Sequence, residues 1–233
     1  MTKTYNSKHE EIADRVRNAD ATYWAGDNIS RFIFEGEKDL LIDELTTKFE
    51  GVLDALIIDR HNDPNSHGTA RRLAKMYYNE IMSGRYHHRP DVTAFPNDSV
   101  TRYEGMLVVR SEVVSMCSHH HQPVKGVAYI GILPGDKVIG LSKYTRIAQW
   151  CARRGTLQEE LCNDIAREIQ AATGSEDVGV YIQAEHGCCT NRGIMAHSSL
   201  TQTTVLRGAF WSVPSTKQEF FENIKLQQEF APR

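Results

Sequence analysis

The sequence has no apolar run approaching the roughly 20 residues that a membrane-spanning helix needs. Its opening stretch, MTKTYNSKHEEIADR, has no apolar segment of the signal-peptide kind. A cytosolic protein that neither spans nor sits on a membrane is therefore expected. A surplus of positive charge is also missing: 27 Lys and Arg face 30 Asp and Glu, a formal net charge of -3. That balance argues against a general nucleic-acid binder, which would present a basic face, yet it leaves room for a local basic pocket. There is no internal repeat and no low-complexity segment. Cysteine is scarce and odd in number, with five in the chain, so a complete disulfide framework is impossible. In a reducing cytosol such thiols serve as core fillers, metal ligands or catalytic groups. What is present is ordinary: 40% hydrophobic and 24% charged residues over 233 positions. That suffices for one core, or one core with an N-terminal appendage.

Periodicity divides the chain near residue 100. Residues 1–30 are polar, hold few apolar anchors, and read as an arm or a loosely packed helix. From Asp39 to Ile58, the residues Leu40, Leu41, Leu45, Phe49, Val52, Leu53, Leu56 and Ile57 mark one helical stripe. A polar loop with Pro64 comes next. Thr69 opens a second helix, with Leu73, Met76, Tyr77 and Ile81 on one side, that stops at Ser83-Gly84. Residues 86–99 read as a long surface loop. Beyond it, Met106 to Met116 and Val124 to Leu133 are rich in β-branched residues, and Pro134-Gly135-Asp136 reads as a turn between strands. Ser142 to about Thr173 is helical in two pieces split near Gly155. Val178 to Ala184 and Ser199 to Leu206 are strands, and a short tail helix closes the chain. The expectation is an N-terminal helical region, 1–100, and an α+β domain, 101–233, with mostly antiparallel strands.

Two clusters of metal-ligating side chains stand at strand ends. In Cys117-Ser118-His119-His120-His121, the Cys-x-x-His spacing lets a tight turn aim Cys117 and His120 at one ion. A thiolate and an imidazole suit Zn²⁺, at about 2.3 and about 2.0 Å. In His186-Gly187-Cys188-Cys189, an extended strand turns His186 and Cys188 to one face and Cys189 to the other. Three protein ligands plus a water is the catalytic zinc pattern; four protein ligands is the structural one. Taken singly, each cluster is better read as core thiols beside a surface histidine run; taken together, two such clusters at strand ends bring the metal reading level with that one. Cys151 and Cys162 lie within helical pattern and read as core.

A second constellation suits an anion. Gly140-Leu141-Ser142-Lys143-Tyr144-Thr145-Arg146 lies where a strand meets a helix, whose free N–H groups and dipole attract phosphate. Lys143 and Arg146 share a face. Basic residues at that end oppose the dipole, which favours a functional role over a merely solvated first turn. Arg192 lies four residues beyond Cys188, and Arg72 and Lys75 stand three apart near the start of the earlier helix. Gln158-Glu159 opens the second helical piece, and a carboxylate there could accept the N1–H and exocyclic amine of guanine, although a lone Glu on a helix is far more often solvated surface.

These segments, in this order and spacing, resemble the GTP cyclohydrolase I family: Cys-x-His-His, Gly-Leu-Ser-Lys-x-x-Arg, Ala-Arg-Arg with Gln-Glu, and Glu-His-x-Cys-x-x-x-Arg-Gly. The Thr69-Ala-Arg-Arg-Leu-Ala-Lys-Met segment, the Ser199 strand and the Gly208-Ala-Phe210 ending are similar as well, so the resemblance runs from about Asp39 to Phe220. It implies a tunnelling fold, with antiparallel strand pairs around a helix pair, and a homodecamer of two pentamers with active sites between subunits. It implies conversion of GTP and water to 7,8-dihydroneopterin triphosphate and formate. By position it makes Cys117, His120 and Cys188 the zinc ligands and His119 and His186 the acid–base histidines. Glu159, with Gln158, would hold the guanine, and Ser142, Lys143, Arg146 and Arg192 the triphosphate, joined by Arg72 and Lys75 from a neighbouring subunit. Competing implications are a related tunnelling-fold enzyme such as the nitrile reductase of queuosine synthesis, and a binding-only homologue.

The sequence also departs from the family pattern. Ser118 stands where Glu is common, His121 replaces an apolar residue, Ala70 replaces a proline, and Gly187 and Cys189 vary around Cys188. None of these removes a zinc ligand.

Overall fold

The computed structural model describes residues 4–98 and 102–230. It divides into two compact units, Met1–His88 and Arg89–Arg233. The first is helical: α1 (Lys8–Asn18), α2 (Glu37–Ala55), α3 (Thr69–Met76) and α4 (Ser83–Tyr86). The side chain of Ser7 caps α1 by accepting the Glu10 N–H, with Glu10 and Glu11 in the first turn and Arg15 and Arg17 in the last. Both arrangements suit the helix dipole. Ile12 and Val16, four apart, are buried. The polar N-terminal stretch is thus a packed helix held by two apolar anchors and by charge. Arg15 binds the Glu37 carboxylate at the head of α2 and donates to the Phe32 carbonyl at 2.7 Å.

The helix opened by Thr69 ends in a π-helical turn at Tyr77–Ile81 capped by Met82, beside the Ser83-Gly84 stop signal, and Ser83 opens the separate short helix α4 with Gly84 buried inside it. Tyr78 stacks on Tyr86 with ring centroids 4.4 Å apart. That aromatic packing joins the π-helical turn to α4.

The second unit contains β1 (Ala94–Pro96), β2 (Leu107–Met116), β3 (Pro123–Ile132), β4 (Lys137–Ile139), α5 (Leu141–Ala152), α6 (Gln158–Thr173), β5 (Val178–His186), α7 (Gly187–Thr190), β6 (Thr201–Leu206), α8 (Ala209–Ser212) and α9 (Pro214–Glu229). β1 and β4 pair within segments that carry no strand signal. The main sheet is antiparallel, in the order β2-β3-β5-β6. One face is covered by α5 and α6 through Ile147, Leu161, Ile165 and Ile169, and the other by Phe210 and Phe220 against Tyr129 and Tyr181. Cys151 and Cys162 are core fillers, and burial pushes both thiols up to about 12.

Chain direction decides which ends meet. β3 starts at Pro123 beside Met116 and finishes at Ile132, at the far end of the sheet. α5 begins at that far end and runs back, so Ser115 Oγ donates to the Ala152 carbonyl at 2.7 Å. α6 begins at the near end, and β5 returns there to finish at His186 opposite Val124. Gly126 seals the β3–β5 pair: a Cβ there would lie 2.1 Å from the Gln183 carbonyl oxygen.

Two of these contacts can be tested by stability measurements. Gly126→Ala is expected to cost about 1–3 kcal/mol or more, as overpacking does, and to lower the thermal midpoint measured by calorimetry; an unchanged midpoint contradicts the tight register. In the first unit, burial alone would raise the Glu37 carboxyl, but Arg15, the Phe34 N–H and Lys8 outweigh it and bring it from 4.5 to about 2. A depressed carboxylate contributes stability above its unfolded value and loses it as pH falls through its folded value. This residue should therefore contribute about 3 kcal/mol that disappears between pH about 4.5 and about 2. Denaturant titrations of Glu37→Gln should show a flatter acid dependence in that window than the parent chain.

Candidate metal and acid–base site

The near end of the sheet gathers the first cluster through a hairpin. Residues 117–122 connect β2 to β3. The Cys117 N–H donates to the Gln122 carbonyl at 2.9 Å and the His121 N–H to the Cys117 carbonyl at 2.9 Å. His121 adopts a left-handed backbone with φ 51°, a region histidine tolerates better than most residues. Cys117 is buried, whereas His119, His120 and His121 are exposed on the turn.

The second cluster arrives on β5. His186 pairs with Val124, one rung from the Met116–Pro123 pair. The strand ends there and α7 begins. A Cβ on Gly187 would stand 3.0 Å from the Pro123 carbonyl oxygen and 3.2 Å from its ring, so a glycine lets the chain turn this close to β3. Thr190 Oγ1 donates to Glu185 Oε1 at 2.8 Å and fastens the turn.

Cys117, His186 and Cys188 offer ligand atoms that all lie within 4.8 Å of one another, the metal-capable group among the described residues. This sharpens the sequence reading at two points. Cys188 does face Cys117, but not through strand parity, because both Cys188 and Cys189 lie on the helical turn. The sulfurs of Cys188 and Cys189 are 3.9 Å apart. The third member of the group is His186, while His120 remains on the exposed turn. Burial, with Cys189 and Cys117 adding to it, pushes the Cys188 thiol up to about 11. Such a thiol stays protonated at neutral pH until a cation supplies the missing charge. The donor set, two sulfurs and an imidazole nitrogen, fits a soft or borderline divalent ion such as zinc.

The start of α6 faces this cluster. Gln158 is 3% exposed and meets His186 Nε2 through its Oε1 at 2.7 Å. Burial lowers the pKa of His186, and the nearby Glu159 carboxylate opposes that shift. Glu159 is itself exposed, a free carboxylate beside a half-buried imidazole. Thr201 and Thr203 of β6 complete the Gln158 surroundings. These threonines carry no signal in the sequence beyond β-propensity, and sequence reasoning misses them as part of the site.

The anion cradle lies elsewhere in the fold. Ser142, Lys143 and Arg146 occupy the first turns of α5, with Ser142 and Arg146 exposed. Lys143 Nζ donates to the Asp91 carbonyl at 3.0 Å. The path from Ser142 to Ala152 along α5 is about 15 Å at 1.5 Å per residue, and it is Ala152 that lies near the cluster. One copy of the chain therefore keeps its cradle and its thiol–imidazole group at opposite ends of the sheet. Arg192 lies just beyond α7 and is exposed. Arg72 and Lys75 lie on α3 in the first unit, both exposed; Arg72 donates to the Asn65 carbonyl at 3.0 Å and to Thr69 Oγ1 at 2.7 Å.

Fold and site together define an antiparallel α+β protein with a thiol–imidazole centre at one end of its sheet. The model of one family, GTP cyclohydrolase I, matches residues 45–225. The chain is 39% identical to GTP cyclohydrolase 1 of Aeromonas hydrophila over 184 residues, covering 76% of this chain and 83% of that one. It is 34% identical to GTP cyclohydrolase 1 of Flavobacterium johnsoniae over 224 residues, covering 95% and 99%. The chain belongs to the GTP cyclohydrolase I family. The strand–strand–helix–helix–strand–strand order of its second unit is the tunnelling fold of that family.

The cluster can be read directly with cobalt as a probe. Co²⁺ added to metal-stripped protein should give thiolate-to-cobalt charge-transfer absorbance. Cys117→Ser and Cys188→Ser should each weaken it, whereas Cys151→Ser should leave it intact; equal spectra for all three would remove the site.

Proposed function

We propose that the chain is a zinc-dependent GTP cyclohydrolase I, converting GTP and water to 7,8-dihydroneopterin triphosphate and formate. The observation that carries this reading is the meeting of Cys117, Cys188 and His186 with Glu159 at one sheet end, in a chain of this family. Cys117, His120 and Cys188 would hold the zinc. His120 sits three residues beyond Cys117 on the same exposed turn. When bound, zinc acidifies a water ligand toward a pKa of about 7 and so supplies a nucleophile at neutral pH.

The other roles belong to the chain itself. Glu159 accepts the N1–H and exocyclic amine of guanine and sets C8 of the purine toward the cluster. His186, whose pKa burial lowers, takes up a proton and delivers it to N7 as the imidazole ring of the purine opens. His119, exposed on the turn, serves the water or the later opening of the ribose. Ser142, Lys143, Arg146 and Arg192, with Arg72 and Lys75, hold the triphosphate. Ser118 provides a hydroxyl but no charge beside the turn.

The separation along α5 supports an active site assembled from neighbouring copies, with the cradle of one chain serving the cluster of the next. A homodecamer of two pentamers suits that requirement. Among the described residues no helix is long and apolar enough to cross a membrane. The substrate is a nucleotide of the cytoplasm, and we place the enzyme there.

Incubating the zinc-loaded chain with GTP should release formate and, after acid–iodine oxidation, give fluorescent neopterin. No product under metal-replete conditions would sink the reading. Lys143→Ala and Cys188→Ser should each be inactive alone, yet recover part of the activity when unfolded together and reassembled. Recovery requires sites shared between chains; a mixture that stays inactive argues for sites within one chain.

A further inference from the structure

Gln158 stands where a contact to the guanine is expected, but its surroundings give it other work. Its amide is almost completely buried and every polar atom on it is committed. Nε2 donates toward the Ile182 carbonyl at 3.2 Å, the Thr201 carbonyl at 3.2 Å and the Thr203 hydroxyl at 3.1 Å. Two of these partners are backbone carbonyls, which only accept. Turning the amide round would set Oε1 against both of them, so the strands β5 and β6 fix its orientation. Oε1 is therefore held toward His186, 2.7 Å from its Nε2. An amide oxygen has no proton to give. The hydrogen in this contact must belong to His186 Nε2, and in the neutral ring the lone pair is then on Nδ1.

We propose that Gln158 is a positioning residue: it locks His186 as the Nε2–H tautomer and so fixes the orientation of its ring at the end of β5. The catalytic consequence rests on the function proposed above; the tautomer does not. The sheet dictates the amide, and the amide dictates the imidazole. A glutamine held in this way has both amide hydrogens committed to the protein and none to offer the purine.

The test is long-range proton–nitrogen correlation NMR on the zinc-loaded full chain with ¹⁵N-labelled histidine, His186 being assigned by the peak lost in His186→Asn. The expected spectrum shows a proton-bearing Nε2 and a proton-free Nδ1. A proton on Nδ1 instead overturns the proposal. Gln158→Met keeps the length of the side chain and removes its hydrogen bonds. It should give mixed tautomers and lower kcat on the order of 10–100-fold, the usual cost of losing such a partner, with KM for GTP nearly unchanged. A raised KM with kcat and the histidine spectrum intact would instead mark Gln158 as a guanine contact and overturn the proposal. If Gln158→Met does not fold, as judged by circular dichroism, the parent spectrum alone decides. A parent chain that makes no formate yet shows the Nε2–H tautomer refutes the proposed function and leaves the tautomer assignment standing.

Discussion

The pairing of β3 with β5 is the constraint on which the rest of this site depends. Its register sets Val124 opposite His186, beside the rung that joins Met116 to Pro123. Two segments about seventy residues apart in the chain are thereby brought to one end of one sheet. Gly126 and Gly187 make the approach possible, because a side chain at Gly126 would collide with the β5 backbone and one at Gly187 would press on Pro123 and Asn191. A slip of one residue would turn His186 to the opposite face, since alternate residues of a strand point to opposite sides. The core enforces the register in turn, because Ile130, Val180 and Ile182 are buried without exposure.

Burial at this end of the sheet does chemical work as well. It holds the Cys188 thiol at about 11 and lowers the pKa of His186. A buried group resists charge unless a partner supplies it. For the thiols such a partner would be a cation; for the imidazole the Glu159 carboxylate opposes the shift that burial causes. The same environment that keeps Cys151 and Cys162 inert in the core therefore leaves the Cys117–Cys188 pair ready for metal, the difference being the convergence of ligands. Among the described residues, Cys151 and Cys162 belong to no such convergence.

Direction of travel through α5 has an equally physical consequence. A helix that starts at one end of a sheet and ends at the other cannot contribute both termini to a single small pocket. The Ser142–Lys143–Arg146 group at its N-terminus and the cluster near its C-terminus are separated by the length of the helix. An enzyme that needs both must bring two copies together or abandon one of the motifs. The edge strands β2 and β6, each paired on one side only in this chain, leave the sheet open to such an arrangement.

Local signals in the sequence were legible wherever one periodicity dominated. The strands from Leu107 to Met116 and from Pro123 to Ile132, the helix pair split near Gly155, and the core roles of Cys151 and Cys162 could all be read from β-branched runs and helical spacing. The clusters at Cys117 and at His186 were visible as ligand types at strand ends. Short elements were not legible: β1 and β4 hold three residues each and α4 four, too few to show a period. The tertiary structure decided what chain proximity cannot encode. It ended β5 at His186, put Cys188 and Cys189 on a helical turn, brought His186 rather than His120 beside the sulfurs, and set Gln158 Oε1 2.7 Å from His186 Nε2. Sequence by itself determined which chemistries this protein can perform, because residue types and their spacing carry that information. Which atom faces which was left to the packing of β5, β6 and α6, because hydrogen-bond partners are chosen by distance in space and not along the chain.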